Sequence, residues 1–304
     1  MAFINSPLRY PGGKSSLSSY LSEVIKANDM VGCTYVEPFA GGAGAAVDLL
    51  LGGVVERLCL NDADPSIHSF WTAFLGDTER FLHSVQTVPL TMDEWHHQQA
   101  ILRDPGRHDV FSVGFAAFYM NRTNRSGILT GGPIGGQGQS GKWKLDARFN
   151  RNGLCQRIEA IAQHSRQIDV HGLDAMTFLT HIVPTLKRKK FLFLDPPYCR
   201  KGQMLYLNAY TQEDHARLAG FMRSQPNTTR AMTYDDVPAI RQLYSWCSVE
   251  AFGLNYFAKT VGRGNELFIR PRRVNVPEGP VAVRYNSMLG LRTKTPKQIP
   301  APTL

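Results

Sequence analysis

The run "FLFLDPPY" (191–198) limits the folds open to this 304-residue chain more than any other stretch. Phe191, Leu192, Phe193 and Leu194 follow one another with no polar alternation. A strand of that kind must be buried on both faces, as strands are in a parallel sheet covered by helices on each side. The strand then ends on Asp195, followed by Pro196 and Pro197. Each proline holds φ at about −65° and has no amide hydrogen, so the chain leaves the sheet as a stiff, extended arm. A carboxylate at a buried strand end is unfavourable unless something binds it. Beside a backbone carbonyl it forms a pair of acceptors whose natural guest is an –NH2 group. Tyr198 adds a flat face for a planar ring.

Other stretches supply partners for that strand. "TYVEPF" (34–39), "RLCLND" (57–62), "IDVHGLDA" (168–175) and "TTRAMTYDD" (228–236) read as further strands, with helices between. "CSVEAFGLNYF" (247–257) and "NELFIR" (265–270) read as a closing antiparallel pair. Thr211 is the expected N-cap of the helix "TQEDHARLAGFMRS". The alternation fails over 77–155: two helical stretches, 92–103 and 110–122, precede a glycine-rich, then basic segment (127–150) that fits a long β-hairpin. This region reads as an inserted domain, and 271–304, rich in proline and arginine, as a flexible arm.

The net charge of +9 implies an acidic partner, most simply nucleic acid. After Pro271, Arg272, Arg273, Arg284, Arg292, Lys294 and Lys297 face only Glu278. The five cysteines are scattered, with no paired or metal-ligand spacing, which implies free thiols in a reducing cytosol and no metal site. No leader is expected at the start. No apolar run reaches the ~20 residues of a membrane helix, so no membrane partner is expected.

Two glycine clusters remain. "YPGGKSS" (10–16) is not a phosphate-binding P-loop, because that pattern requires glycine where Leu8 stands. "EPFAGGAG" (37–44) follows a strand and opens a helix, as a cofactor-binding turn does. Asp62, at the next strand end, fits either a ribose ligand or a helix N-cap in "NDADP".

"RYPGGK" (9–14), "VEPFAGGAG" (36–44), "LND" (60–62), "FYMNRTNRSG" (118–127), "GLDA" (172–175) and "LDPPY" (194–198) together, in that order, resemble the Dam-like, D12 class N6-adenine DNA methyltransferases over roughly residues 3–270. The resemblance implies an α/β, Rossmann-like S-adenosylmethionine-dependent methyltransferase sheet carrying a helical and β-hairpin DNA-recognition insert. Residues 1–76 and 156–270 would form the catalytic domain, 77–155 the insert and 271–304 the arm. It further implies methyl transfer from S-adenosylmethionine to N6 of an adenine flipped out of a specific double-stranded DNA sequence. Asp195, Pro196 and Tyr198 would hold the adenine. Tyr10, Lys14, Glu37, Phe39, Gly41, Asp62, Asp174 and Asp195 would meet the cofactor, with no metal. Asn121, Arg122, Asn124, Arg125, Lys142 and Lys144 would contact DNA, with Arg148 close by; singly, each also fits a solvated surface. The implied setting is the cytoplasm of a bacterium or a phage-infected cell, with or without a companion restriction or defence protein. Two other readings stay open: an RNA adenine methyltransferase, and a DNA-binding relative without turnover.

Overall fold

The computed structural model describes residues 5–9, 13–197, 210–257 and 261–277. Tyr10, Tyr198, Cys199 and residues 278–304 lie outside the described residues. One sheet of seven strands has the order β3-β2-β1-β4-β5-β7-β6. Strands β1 (Thr34–Glu37), β2 (Arg57–Asn61), β3 (Ile168–His171), β4 (Lys190–Leu194) and β5 (Arg230–Asp235) are parallel. Strand β6 (Ser248–Phe257) pairs antiparallel with β7 (Val261–Arg270), which pairs antiparallel with β5. This is the α/β, Rossmann-like sheet that the resemblance implies. Chain order reverses between β1 and β4, which are hydrogen-bonded neighbours. In open α/β sheets, ligands bind beyond the strand ends at such a reversal.

Alternate residues of each central strand enter opposite cores. Tyr35, Leu58, Phe191, Phe193 and Phe268 join one cluster with α1 (Ser18–Ala27), α2 (Gly44–Leu51) and α3 (Pro65–Gly76). Val36, Cys59, Leu192, Leu194, Met232 and Ile269 join the other. Both faces are dry, which is why β4 reads as an unbroken apolar run.

Residues 77–155 form α4 (Thr78–Thr87), α5 (Met92–Arg103), α6 (Val110–Thr123) and the start of α7 (Arg151–Ala162). Their aromatic side chains Phe81, Trp95, Phe118 and Phe149 lie in the same cluster as Phe70 and Phe74 of α3. Helix α6 reaches α3 closely because Gly114 has no Cβ; one would fall against the Ser69 carbonyl. The insert is therefore packed onto the sheet's own helix layer.

Two expectations need correction. The glycine-rich segment does not form a β-hairpin: among its residues only the isolated bridge between Asn124 and Pro133 is sheet-like. Gly127, Gly135, Gly136 and Gln139 take positive φ, which breaks an extended ladder. The Gln139 amide bonds instead to the carbonyls of Ile134 and Gly136 and accepts from the Leu145 amide, so one side chain closes the loop. Nor is 271–277 a loose arm. Val274 is wholly buried, and Asn275 exchanges three hydrogen bonds with Ala27 and Asn28 at the end of α1. Helices α8 (Ala175–Thr177), α9 (Gln212–Ser224) and α10 (Pro238–Leu243) are the remaining α-helices among the described residues, and Thr211 caps α9 through a reciprocal capping box with Asp214.

Candidate active site

Strand β1 ends on Glu37, and the chain turns back through 38–43 into α2. Gly41 and Ala43 take left-handed φ of 48° and 45°. The Gly41 amide donates to Asp62 Oδ2 at 2.7 Å, and its carbonyl accepts from the Trp71 indole at 3.0 Å. Gly44 opens α2 where any Cβ would overlap the Ser15 hydroxyl, so the glycine lets the Lys14–Ser15 turn press against the cofactor-type loop.

Asp62 sits across that loop. Its Oδ1 accepts from the Asp64 amide at 2.9 Å. Burial pushes its carboxyl up to about 6, opposed by the backbone donors of Asp64 and Gly41. The N-cap of α3 is Asp64, which accepts from the Ser66 amide; Asp62 is thereby left facing the loop. Asn61, fully buried, donates to the carbonyls of Pro38 and Leu173 and accepts from the Leu173 amide, each at 3.0 Å. One amide thus ties together the ends of β1, β2 and β3. Asp174 is exposed and caps α8 through the amides of Met176 and Thr177.

At the end of β4, Lys14 Nζ lies 2.8 Å from Asp195 Oδ2 and 3.7 Å from Glu266 Oε2. The Thr233 hydroxyl donates to Asp195 Oδ1 at 2.6 Å. The Lys14 and Glu266 side chains are 3% and 1% exposed, whereas Asp195 is 19% exposed and faces the crevice. Thr233 of β5 and Lys14, from the turn that precedes α1, therefore fix the acid, and Glu266 of β7 stands beside Lys14. Glu37 is buried, and burial, with Asp195 and Asp62 adding and Lys14 opposing, pushes its carboxyl well above the usual range. Glu37 Oε2 has no hydrogen-bond partner among the described residues. Phe39 meets Tyr210 edge-on with ring centroids 5.6 Å apart.

These residues suit S-adenosylmethionine. A buried, unpartnered carboxyl oxygen needs a polar guest, the left-handed Gly41 leaves room for backbone approach, and Asp62 presents a carboxyl of the kind that takes a ribose diol. Lys14, Glu37, Phe39, Gly41, Asp62 and Asp195 lie at or beside the β1–β4 reversal. Among the described residues no group of acidic, cysteine or histidine side chains could hold a metal ion. Pattern reading missed Asn61, Thr233, Glu266 and Trp71. Glu266 was signalled as a lone acid in the apolar "ELFI" of a strand buried on both faces.

The residues assigned to DNA divide. Asn121 is buried, accepting from the Arg9 amide at 2.7 Å and donating to the carbonyls of Arg9 and Gly127. Asn124 is buried between the Trp95 indole and the carbonyls of Ile128 and Leu129. Arg122 is buried and donates to the carbonyls of Arg148 and Pro7. These three hold the chain's own backbone, and their side chains are not presented to a base edge, which corrects the sequence assignment. Arg125, Lys142 and Lys144 are exposed. Between the lysines, Trp143 is 60% exposed, with Lys142 Nζ 5.6 Å from the ring centroid.

Among known proteins, the family model described as D12 class N6 adenine-specific DNA methyltransferase matches residues 10–253. A curated relative is the type II methyltransferase M.CviBI of Paramecium bursaria Chlorella virus NC1A, 21% identical over 238 residues, which are 78% of this chain and 85% of the relative. Among solved structures, the rRNA methyltransferase aviRa from Streptomyces viridochromogenes is 12% identical, with 86% of each chain covered and a TM-score of 0.34. That resemblance is too distant to bear on fold or substrate.

Proposed function

The chain belongs to the D12 class of N6 adenine-specific DNA methyltransferases, and we propose that it methylates N6 of an adenine flipped out of a particular duplex sequence, with Asp195 as the group that grips the amine. S-adenosylmethionine, when bound, supplies the methyl group. The observation that carries the reading is Asp195 itself: a partly exposed carboxylate at the sheet's reversal, fixed on one oxygen by Thr233 and on the other by Lys14.

A carboxylate offers about four lone-pair positions, so those two contacts leave capacity for a third donor. An adenine N6–H donating to Asp195, with the second hydrogen on a carbonyl of the Pro196–Pro197 arm, directs the nitrogen lone pair out of the ring plane. N6 is then a better nucleophile without a covalent intermediate on the enzyme. Prior alignment and fixed polar groups supply most of the rate. Lys14 acts behind Asp195, keeping its charge in place, and Glu266 holds Lys14 from its other side. Asp62 holds ribose hydroxyls, with the Gly41 amide and Asn61 fixing the loop around it. N6 is out of reach inside a duplex, so the base leaves the stack at a cost of a few kcal/mol. Arg125, Lys142, Lys144 and the exposed Trp143 are the available DNA contacts on the insert, offering charge to phosphates and a ring to bases.

The test is methyl transfer from labelled S-adenosylmethionine to duplex DNA, single-stranded DNA and single-stranded RNA, with N6-methyladenine mapped in the product. Preferential labelling of adenine at one duplex sequence is expected. Preference for RNA, or binding of duplex without turnover, would overturn the reading.

A further inference from the structure

Arg9, Arg122 and Arg148 meet near the start of the chain, with Arg157 close enough for its charge to act on Arg122. Arg122 lies 8% exposed at the end of α6, with Nε donating to the Arg148 carbonyl at 2.8 Å and Nη1 to the Pro7 carbonyl at 3.4 Å. Arg9, half-buried, has its backbone clasped by Asn121 on both sides and its Nη1 3.4 Å from the Asn124 carbonyl. Arg148 is exposed and Arg157 half-buried. Among the described residues these four form no salt bridge, although Arg57, Arg188, Arg241 and Arg270 do.

The charges act on one another. Burial, then the positive charges of Arg9, Arg157 and Arg148, pull the Arg122 guanidinium down to about 9. Arg9 is lowered by burial and by Arg148. Folding one charged group inward and placing three more around it is unfavourable unless an anion from outside completes the set. Backbone carbonyls satisfy some of the N–H donors but leave the net charge. A planar guanidinium fork matches phosphate oxygens well.

We propose that Arg9, Arg148 and Arg157, backed by the buried Arg122, seat one backbone phosphodiester of the substrate DNA strand. This rests on the reading of the chain as a duplex DNA methyltransferase. Position favours a strand over a free anion. Arg9 and Lys14 are separated by five residues of chain, which can span at most roughly 18 Å. One DNA strand advances about 3.4 Å per nucleotide, so with the reach of both side chains added the seat lies within about ten nucleotides of the adenine held at Asp195. A phosphate there sets the register of the strand while carrying no base information.

The experiment compares the whole protein with Arg148→Gln, Arg157→Gln and the double variant, since these side chains are accessible and their loss leaves Arg122 in place. Duplex affinity is measured by fluorescence anisotropy over a range of KCl, on a methylated-site duplex and a scrambled one. The double variant should flatten the slope of log K against log salt by about 0.9 for the lost phosphate, equally on both duplexes. Independently, inorganic phosphate should raise the thermal unfolding midpoint of the wild type more than that of the double variant. S-adenosylmethionine affinity by calorimetry should be the same in both. A wild-type salt slope in the double variant would overturn the DNA assignment, and an equal phosphate shift would overturn the seat itself. Failure of the wild type to methylate any duplex would instead defeat the proposed function, with the phosphate arm still deciding the seat.

Discussion

At the residue scale, Asp195 and Asp62 make separable predictions. Asp195→Asn keeps volume and removes the charge that Lys14 and Thr233 hold in place. Turnover should fall by more than a hundredfold, about 3 kcal/mol of transition-state stabilisation, while the far-ultraviolet circular dichroism spectrum stays native. Near wild-type turnover in a folded variant would remove Asp195 from the chemistry. Asp62 predicts a pH effect. Its carboxyl is raised to about 6 in the free protein, so it is ionised at pH 7 and protonated at pH 5. The native state then holds a proton that the unfolded chain gives up above about pH 4. This group therefore adds stability to the free protein as pH falls through 6, and its ionised form is the less stable one. A ribose diol donates to the ionised form, so S-adenosylmethionine affinity should be level above pH 6 and fall below it, by up to about tenfold per unit. Calorimetry from pH 5 to 8 should show this in the wild type and a flat profile in Asp62→Asn. The acids at the ends of β1, β2 and β4 were legible because a strand-end carboxylate stands out in an apolar run. Asn61 and Thr233 were not, because their roles depend on neighbours 112 and 38 residues away.

At the scale of elements, the glycine loop works only because two elements meet without side-chain volume between them. Gly44→Ala would drive a methyl into the Ser15 hydroxyl, displacing α2 from the turn that carries Lys14. A loss of about 1–3 kcal/mol of stability is expected, together with weaker S-adenosylmethionine binding. Adding Ser15→Ala should recover part of both, because the nearest remaining atom would be the Ser15 Cβ at 3.2 Å. Urea unfolding of the two single variants and the double gives the coupling, and strict additivity would refute the close contact. Helices α5, α6 and α9 were legible from apolar spacing and capping residues, and α5 spans the residues that the pattern marks. The glycine-rich segment was misread because spacing and glycine content fit a hairpin equally well. The positive φ values and the Gln139 side chain that closes the loop emerge only in three dimensions.

At the scale of the whole molecule, the chain beyond the sheet has a docked part. Ending the protein at Pro277 should preserve its stability and its methylated sequence while weakening all duplexes alike, since Arg284, Arg292, Lys294 and Lys297 are removed with only Glu278. Ending it at Arg270 should also lower stability by about 1.5–3 kcal/mol through loss of the buried Val274, read as a lower urea midpoint. Equal midpoints for the two truncations would show that 271–277 contributes nothing. Composition marked this region as loose because prolines and arginines dominate it. A single valine and the Asn275–Asn28 pairing outweigh that tendency. The strands along the chain, the glycine turn and the acids at strand ends were determined by the sequence alone, because period, backbone stiffness and side-chain type act locally, and the class of chemistry followed from the motifs' resemblance to a family. Which asparagines and arginines face inward, which acid caps a helix and which faces the crevice, and where unpaired positive charge collects were decided only by tertiary structure. Those outcomes depend on which distant residues become neighbours when the sheet closes, and burial alone turns the same side chain from a surface contact into an internal brace.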